Sequence, residues 1–105
     1  MRRKPPKLYL KLRKAHGAFF EAWDAIGAAT RQAGPLDERT IQLIQLSAAA
    51  AIRSEGAVHS HVRRALEAGA KPVEIRQALM AIAPTVGFPQ VVAALSWAED
   101  LLGKE

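Results

Sequence analysis

The chain has 105 residues, half of them hydrophobic, enough for one core-forming domain and too apolar for native disorder. It contains no cysteine, which excludes disulfides, zinc–thiolate centres, iron–sulfur clusters and any thiol nucleophile. The net charge of +5 is unevenly placed: residues 1–14 hold seven basic side chains and no acid, so the rest of the chain is slightly acidic.

Alanine supplies 21 residues against six aromatics, and no stretch alternates with the period of two that a half-buried strand needs. An all-α fold follows, a bundle of about five to six helices. Pro5-Pro6 can open the first helix. Leu8, Leu12, Ala15, Phe19, Ala22 and Ile26 then recur at alternating spacings of four and three, one face of a helix running to about Gln32 with local strain at Gly17. Gly34-Pro35 ends it. This divides the chain into a basic leader with its amphipathic helix (1–34) and a helical core (35–105), one domain overall.

Asp37 is suited to cap a second helix, with Ile41, Ile44, Ala48 and Ala51/Ile52 as its apolar stripe. The alanines at 48–51 let neighbours come very close. Ser54 can cap a third helix that turns Val58, Val62, Ala65 and Leu66 inward and stops at Gly69. Pro72 and Glu74 fit the first turn of a fourth, carried by Ile75, Leu79, Ile82 and Val86 and interrupted near Ala83 by Pro84. After Gly87-Phe88-Pro89 the last helix presents Val91, Leu95, Ala98 and Leu102.

Chemically useful side chains concentrate between Ser54 and His61. His59 and His61 stand about 200° apart around a helix and cannot easily grip one ion together, so no metal site is expected. Glu55 and His59, four apart, can face each other. Ser54, Ala57 and His61 share a stripe bordered by Val58 and Ala65, which leaves His61 partly covered. Such an imidazole can carry a proton near neutrality, and a core histidine satisfied by one hydrogen bond gives the same pattern.

From Pro35 to Leu101 the chain resembles the carboxymuconolactone decarboxylase family, which includes the AhpD-like alkylhydroperoxidases. The resemblance is carried by Leu36-Asp37-Glu38-Arg39-Thr40, by His61-Val62-Arg63-Arg64-Ala65-Leu66-Glu67-Ala68-Gly69-Ala70, by Glu74-Ile75, and by Gly87-Phe88-Pro89-Gln90-Val91-Val92-Ala93-Ala94-Leu95. It implies an all-helical homo-oligomer, built of dimeric or trimeric units and often hexameric. The peroxidase branch carries Cys-x-x-Cys, a histidine four residues later and a glutamate twelve residues before the first cysteine. On this chain the cysteines fall at Ser54 and Ala57, the histidine at His61 and the glutamate at Gln42. Both thiols are missing, and with them the attack on peroxide and its resolution. The decarboxylase branch needs no thiol, but it places acids one turn before its histidine, where this chain has Gly56 and Ala57.

Three functions stay open on these grounds. One is a cofactor-independent acid/base enzyme acting on a small carboxylated or lactone metabolite, with His61, Glu55 and His59 as catalytic candidates and Gln42 and Ser54 as substrate-binding ones. The second is a non-catalytic oligomeric scaffold or a member that binds a small acid or a partner protein. The third makes the basic leader a contact for nucleic acid or an anionic surface, though it lacks a stacking platform and a recognised nucleic-acid motif, which argues against nucleic acid. With no membrane span and no signal core, the expected location is the cytoplasm.

Overall fold

The computed structural model describes residues 5–103. Among them every regular element is helical: α1 (Lys7–Ala15), α2 (Gly17–Gln32), α3 (Glu38–Ala51), α4 (Glu55–Glu67), α5 (Pro72–Ala81), the single turn α6 (Ala83–Val86) and α7 (Phe88–Leu102). No helix among these residues is long and apolar enough to cross a membrane. The chain divides into two compact units, the first ending at Leu36 and the second beginning at Asp37.

The first unit departs from the single helix expected there. The backbone leaves helical geometry at His16, separating α1 from α2, one residue before the glycine at which strain was expected. The bend brings Tyr9 edge-on to Phe20 at 5.8 Å and lets Arg13 lie over both rings while pairing with Asp24. Residues eleven apart meet in this way only across a break, since a straight helix would hold them about 16 Å apart. Gly17 makes the break cheap, and the cation sandwiched between rings and carboxylate rewards it. The stripe through Leu8, Leu12, Phe19 and Ile26 is therefore not one face, and all four side chains are exposed. Neither helix buries a residue. Of the basic leader, Arg2, Arg3 and Lys4 lie outside the described residues.

The second unit holds the core. Leu46, Ala49 and Ala50 of α3 meet Val58, Val62 and Ala65 of α4, Ile75 and Leu79 of α5, and Ala94, Ala98, Leu101 and Leu102 of α7. Asp37 caps α3 by accepting from the Thr40 N–H at 2.8 Å, and hydrogen bonding from Thr40, its side chain first and then its N–H, holds the Asp37 carboxyl below the usual range. Pro84 separates α5 from α6 at Ile82, and the Arg76 guanidinium grips the Glu99 carboxylate with two bonds, tying α5 to α7. Small residues allow close approach: the Ser47 hydroxyl donates to the Ala78 carbonyl, and the Gln90 amide donates to the Ala51 carbonyl at the end of α3.

The inward face of α3 is not the one its aliphatic spacing suggests. Its buried line is Gln42, Leu46, Ala49 and Ala50, one step round from the expected stripe. Ile44 remains 51% exposed and Ile52 75%. The helix has two apolar faces, and the tertiary structure covers the one that contains a glutamine.

Candidate functional site

The α3–α4 hairpin positions the site. Its turn is a helix-terminating motif with Arg53 in the left-handed region (φ 60°), where Ser54 N–H reaches back to the Ala49 carbonyl and Arg53 N–H to that of Ala50. The chain reverses at once, and Ser54 caps α4 by accepting from the Ala57 N–H. Gln42 and His61, on either side of this turn, are brought face to face.

They form a bonded chain with Glu38. The Gln42 amide nitrogen donates to the Glu38 carboxylate at 2.8 Å, and the amide oxygen stands 2.9 Å from His61 Nδ1. Gln42 is fully buried (0% exposed), while Glu38 lies at the surface one helical turn earlier. The protonation state follows from donor and acceptor rules alone. An ionised carboxylate only accepts, so the amide atom facing Glu38 is the NH2 group. The oxygen must then face His61, so Nδ1 must carry the hydrogen. In the neutral ring this leaves the lone pair on Nε2.

The ring is neutral over a wide range. Burial, followed by the nearby Arg64 and Arg63 guanidinium groups, pushes the His61 pKa down to about 4. The half-buried imidazole thus offers a fixed lone pair beside two cations. That arrangement can accept a proton or a hydrogen bond, and its surroundings attract an anion.

The remaining sequence-predicted residues lie elsewhere or do other work. Ser54 spends its hydroxyl on capping α4. His59 turns to α7, where its Nε2 hydrogen-bonds the Asp100 carboxylate at 2.9 Å, and Glu55 joins that pair. Of the five candidates the structure brings together His61 and Gln42, and it places Glu55 and His59 in a second cluster. Glu38, Arg63 and Arg64 were not singled out from sequence for this site. The spacing of Glu38 four residues before Gln42 was the available signal for the first.

A family model described as the carboxymuconolactone decarboxylase family matches residues 17–100, a span that includes every residue of this site. No curated protein and no solved structure matches the chain.

Proposed function

The chain belongs to the carboxymuconolactone decarboxylase family, and within it we propose that His61 is the acid/base centre of a cofactor-independent reaction on a small carboxylated or lactone-type metabolite. The observation that carries this is the Glu38–Gln42–His61 chain, which buries an amide to dictate which imidazole nitrogen is bare. A histidine serving only to fill space needs no such second anchor.

The arginines complete the proposal. A base with a pKa near 4 is weak at neutral pH, well below the match that favours proton transfer. A substrate carboxylate held by Arg63 and Arg64 would offset the two charges that help depress His61 and raise its proton affinity when substrate is present. Nε2 then takes a proton from the substrate or returns one to a carbon that has lost carbon dioxide. Peroxide reduction by the family's thiol route has no nucleophile here, because the chain lacks cysteine.

We also propose that the chain acts as a homo-oligomer in the cytoplasm. Exposed Ile44, Ile52, Met80, Phe88 and Val92 on the second unit, and Phe19, Trp23 and Ile26 on the first, support self-association. A trimer or hexamer would cover such surfaces. The low proton affinity of the free site favours one alternative, a scaffold that binds a small acid without turning it over.

The test is a panel of small carboxylates and lactones, followed by turnover and by the His61 ring signals in NMR. The proposal expects turnover that His61→Ala abolishes while the oligomer persists. Full turnover by His61→Ala would refute it, and binding without turnover would establish the scaffold.

A further inference from the structure

The second cluster lies away from the bonded chain of His61 and has a different chemistry. Glu55 stands in the first turn of α4, His59 one turn later on the same helix, and Asp100 near the end of α7. One ligating atom from each lies within 4.8 Å of the other two. We propose that Glu55, His59 and Asp100 form a binding site for a divalent transition-metal ion of the zinc class.

Three observations support the site together. First, the donors come from two helices whose mutual position is set by fully buried packing. Val58, Val62 and Ala65 on α4 and Ala94 and Ala98 on α7 are all core residues, so the backbone beneath the ligands is rigid. The Ser54 cap fixes the turn that carries Glu55. Second, two carboxylates converge on one imidazole. Without a cation between them their oxygens repel, and the single hydrogen bond from His59 to Asp100 leaves Glu55 outside it. Third, the dimensions suit a metal. The 2.9 Å between His59 Nε2 and Asp100 Oδ2 is close to the edge of about 3.0 Å between adjacent ligands of a six-coordinate ion with bonds of about 2.1 Å, and an opening of about 0.5 Å gives the tetrahedral edge. Opposite donors of a six-coordinate ion lie about 4.2 Å apart, so a rotation of the exposed Glu55 side chain closes the set.

The donor set selects the ion. Calcium and magnesium favour all-oxygen shells, whereas one imidazole with two carboxylates suits zinc, cobalt, nickel or manganese. On binding, the metal takes the Nε2 lone pair, so the neutral ring carries its one hydrogen at Nδ1. Glu55 and Asp100 are exposed and His59 is half-buried, so the remaining coordination positions face solvent and can take water or an anionic ligand.

The experiment titrates the intact purified chain with Zn2+ by calorimetry, with Co2+ absorption as the report on coordination and Mg2+ as the competitor. One Zn2+ per chain is expected, unaffected by equimolar Mg2+. His59→Ala and the isosteric Asp100→Asn should each weaken binding at least about tenfold, which corresponds to about 1.4 kcal/mol. His61→Ala should bind as the parent does, which separates this site from the proposed acid/base centre. Circular dichroism of each variant confirms that the helices persist. Zn2+ binding that survives His59→Ala, or that is lost in His61→Ala, or that fails to appear in the parent, would overturn the proposal.

Discussion

Replacing Gln42 by leucine tests the bonded chain at its hidden link. The substitution nearly preserves volume at a fully buried position, so its effects arise from lost polarity rather than from a cavity. Two bonds disappear: the 2.9 Å bond with the neutral imidazole, worth about 1 kcal/mol, and the 2.8 Å bond to the Glu38 carboxylate, worth about 1.5–3 kcal/mol. Two effects offset part of this. Glu38 is exposed and recovers water, and burying leucine in place of an amide returns about 1–2 kcal/mol. The net expectation is a loss of about 1–2 kcal/mol in urea unfolding. The sharper readout is the imidazole itself. With no acceptor opposite Nδ1, His61 should lose its single tautomer, visible in long-range 15N–1H correlation spectra as averaging of the two ring nitrogens. A His61 that keeps its hydrogen on Nδ1 in Gln42→Leu would refute the claim that the amide dictates the tautomer.

The depressed His61 pKa makes stability depend on pH in a defined window. Between about 4 and 6.5 the unfolded chain binds this proton and the folded chain does not, so stability is full above 6.5 and falls as pH drops through the window. Because solvent reaches part of the ring, the contribution should be about 1 kcal/mol rather than the full linkage value. Urea midpoints measured from pH 7 down to about 5 should decline in the parent and decline less in His61→Gln; parallel profiles would contradict this. Arg53→Gly should stabilise the protein by about 0.5–1 kcal/mol, because φ 60° strains any side chain but not glycine, and a fall in the thermal midpoint would count against that strain. Ile44→Lys should shift the sedimentation coefficient toward the monomer without unfolding α3, since its side chain is half exposed on the uncovered apolar face; an unchanged oligomer would locate the interface elsewhere.

Local signals in the sequence proved reliable where a single residue governs a helix end. Asp37 and Ser54 cap, Gly69 takes the left-handed position after α4, and Pro84 interrupts the fourth predicted helix, because each effect depends on neighbours within one turn. Faces were harder to read. On α3 the aliphatic spacing of Ile41, Ile44 and Ala48 describes a second apolar surface, and the inward line was concealed by Gln42, whose amide enters the core only because Glu38 and His61 satisfy it. The break at His16 was displaced for a similar reason: it depends on Arg13 finding Asp24 and the Phe20 ring beyond the bend. In the site, the stripe placed His61 at a partly covered position and the family resemblance set Gln42 at the position of the peroxidase branch's glutamate; that the two side chains meet is seen only in the structure. The partner of His59 could not be found this way, since Asp100 lies 41 residues further along and meets it only once α4 and α7 have packed.

The buried amide also has a consequence for assembly of the hairpin. Alanine-rich helices offer few knobs to hold them in place, and α3 and α4 could slide past one another by a turn with little change in how much greasy surface they hide. A slip that brings Leu46 opposite His61 would set Gln42 against Ala65, so that the imidazole faces an alkyl group and the Gln42 amide oxygen loses its partner while the bond to Glu38 within α3 persists. In the alignment that the structure shows, no buried side-chain nitrogen or oxygen among the described residues lacks a partner. The glutamine that orients the imidazole therefore acts as a locating pin that penalises a misaligned hairpin.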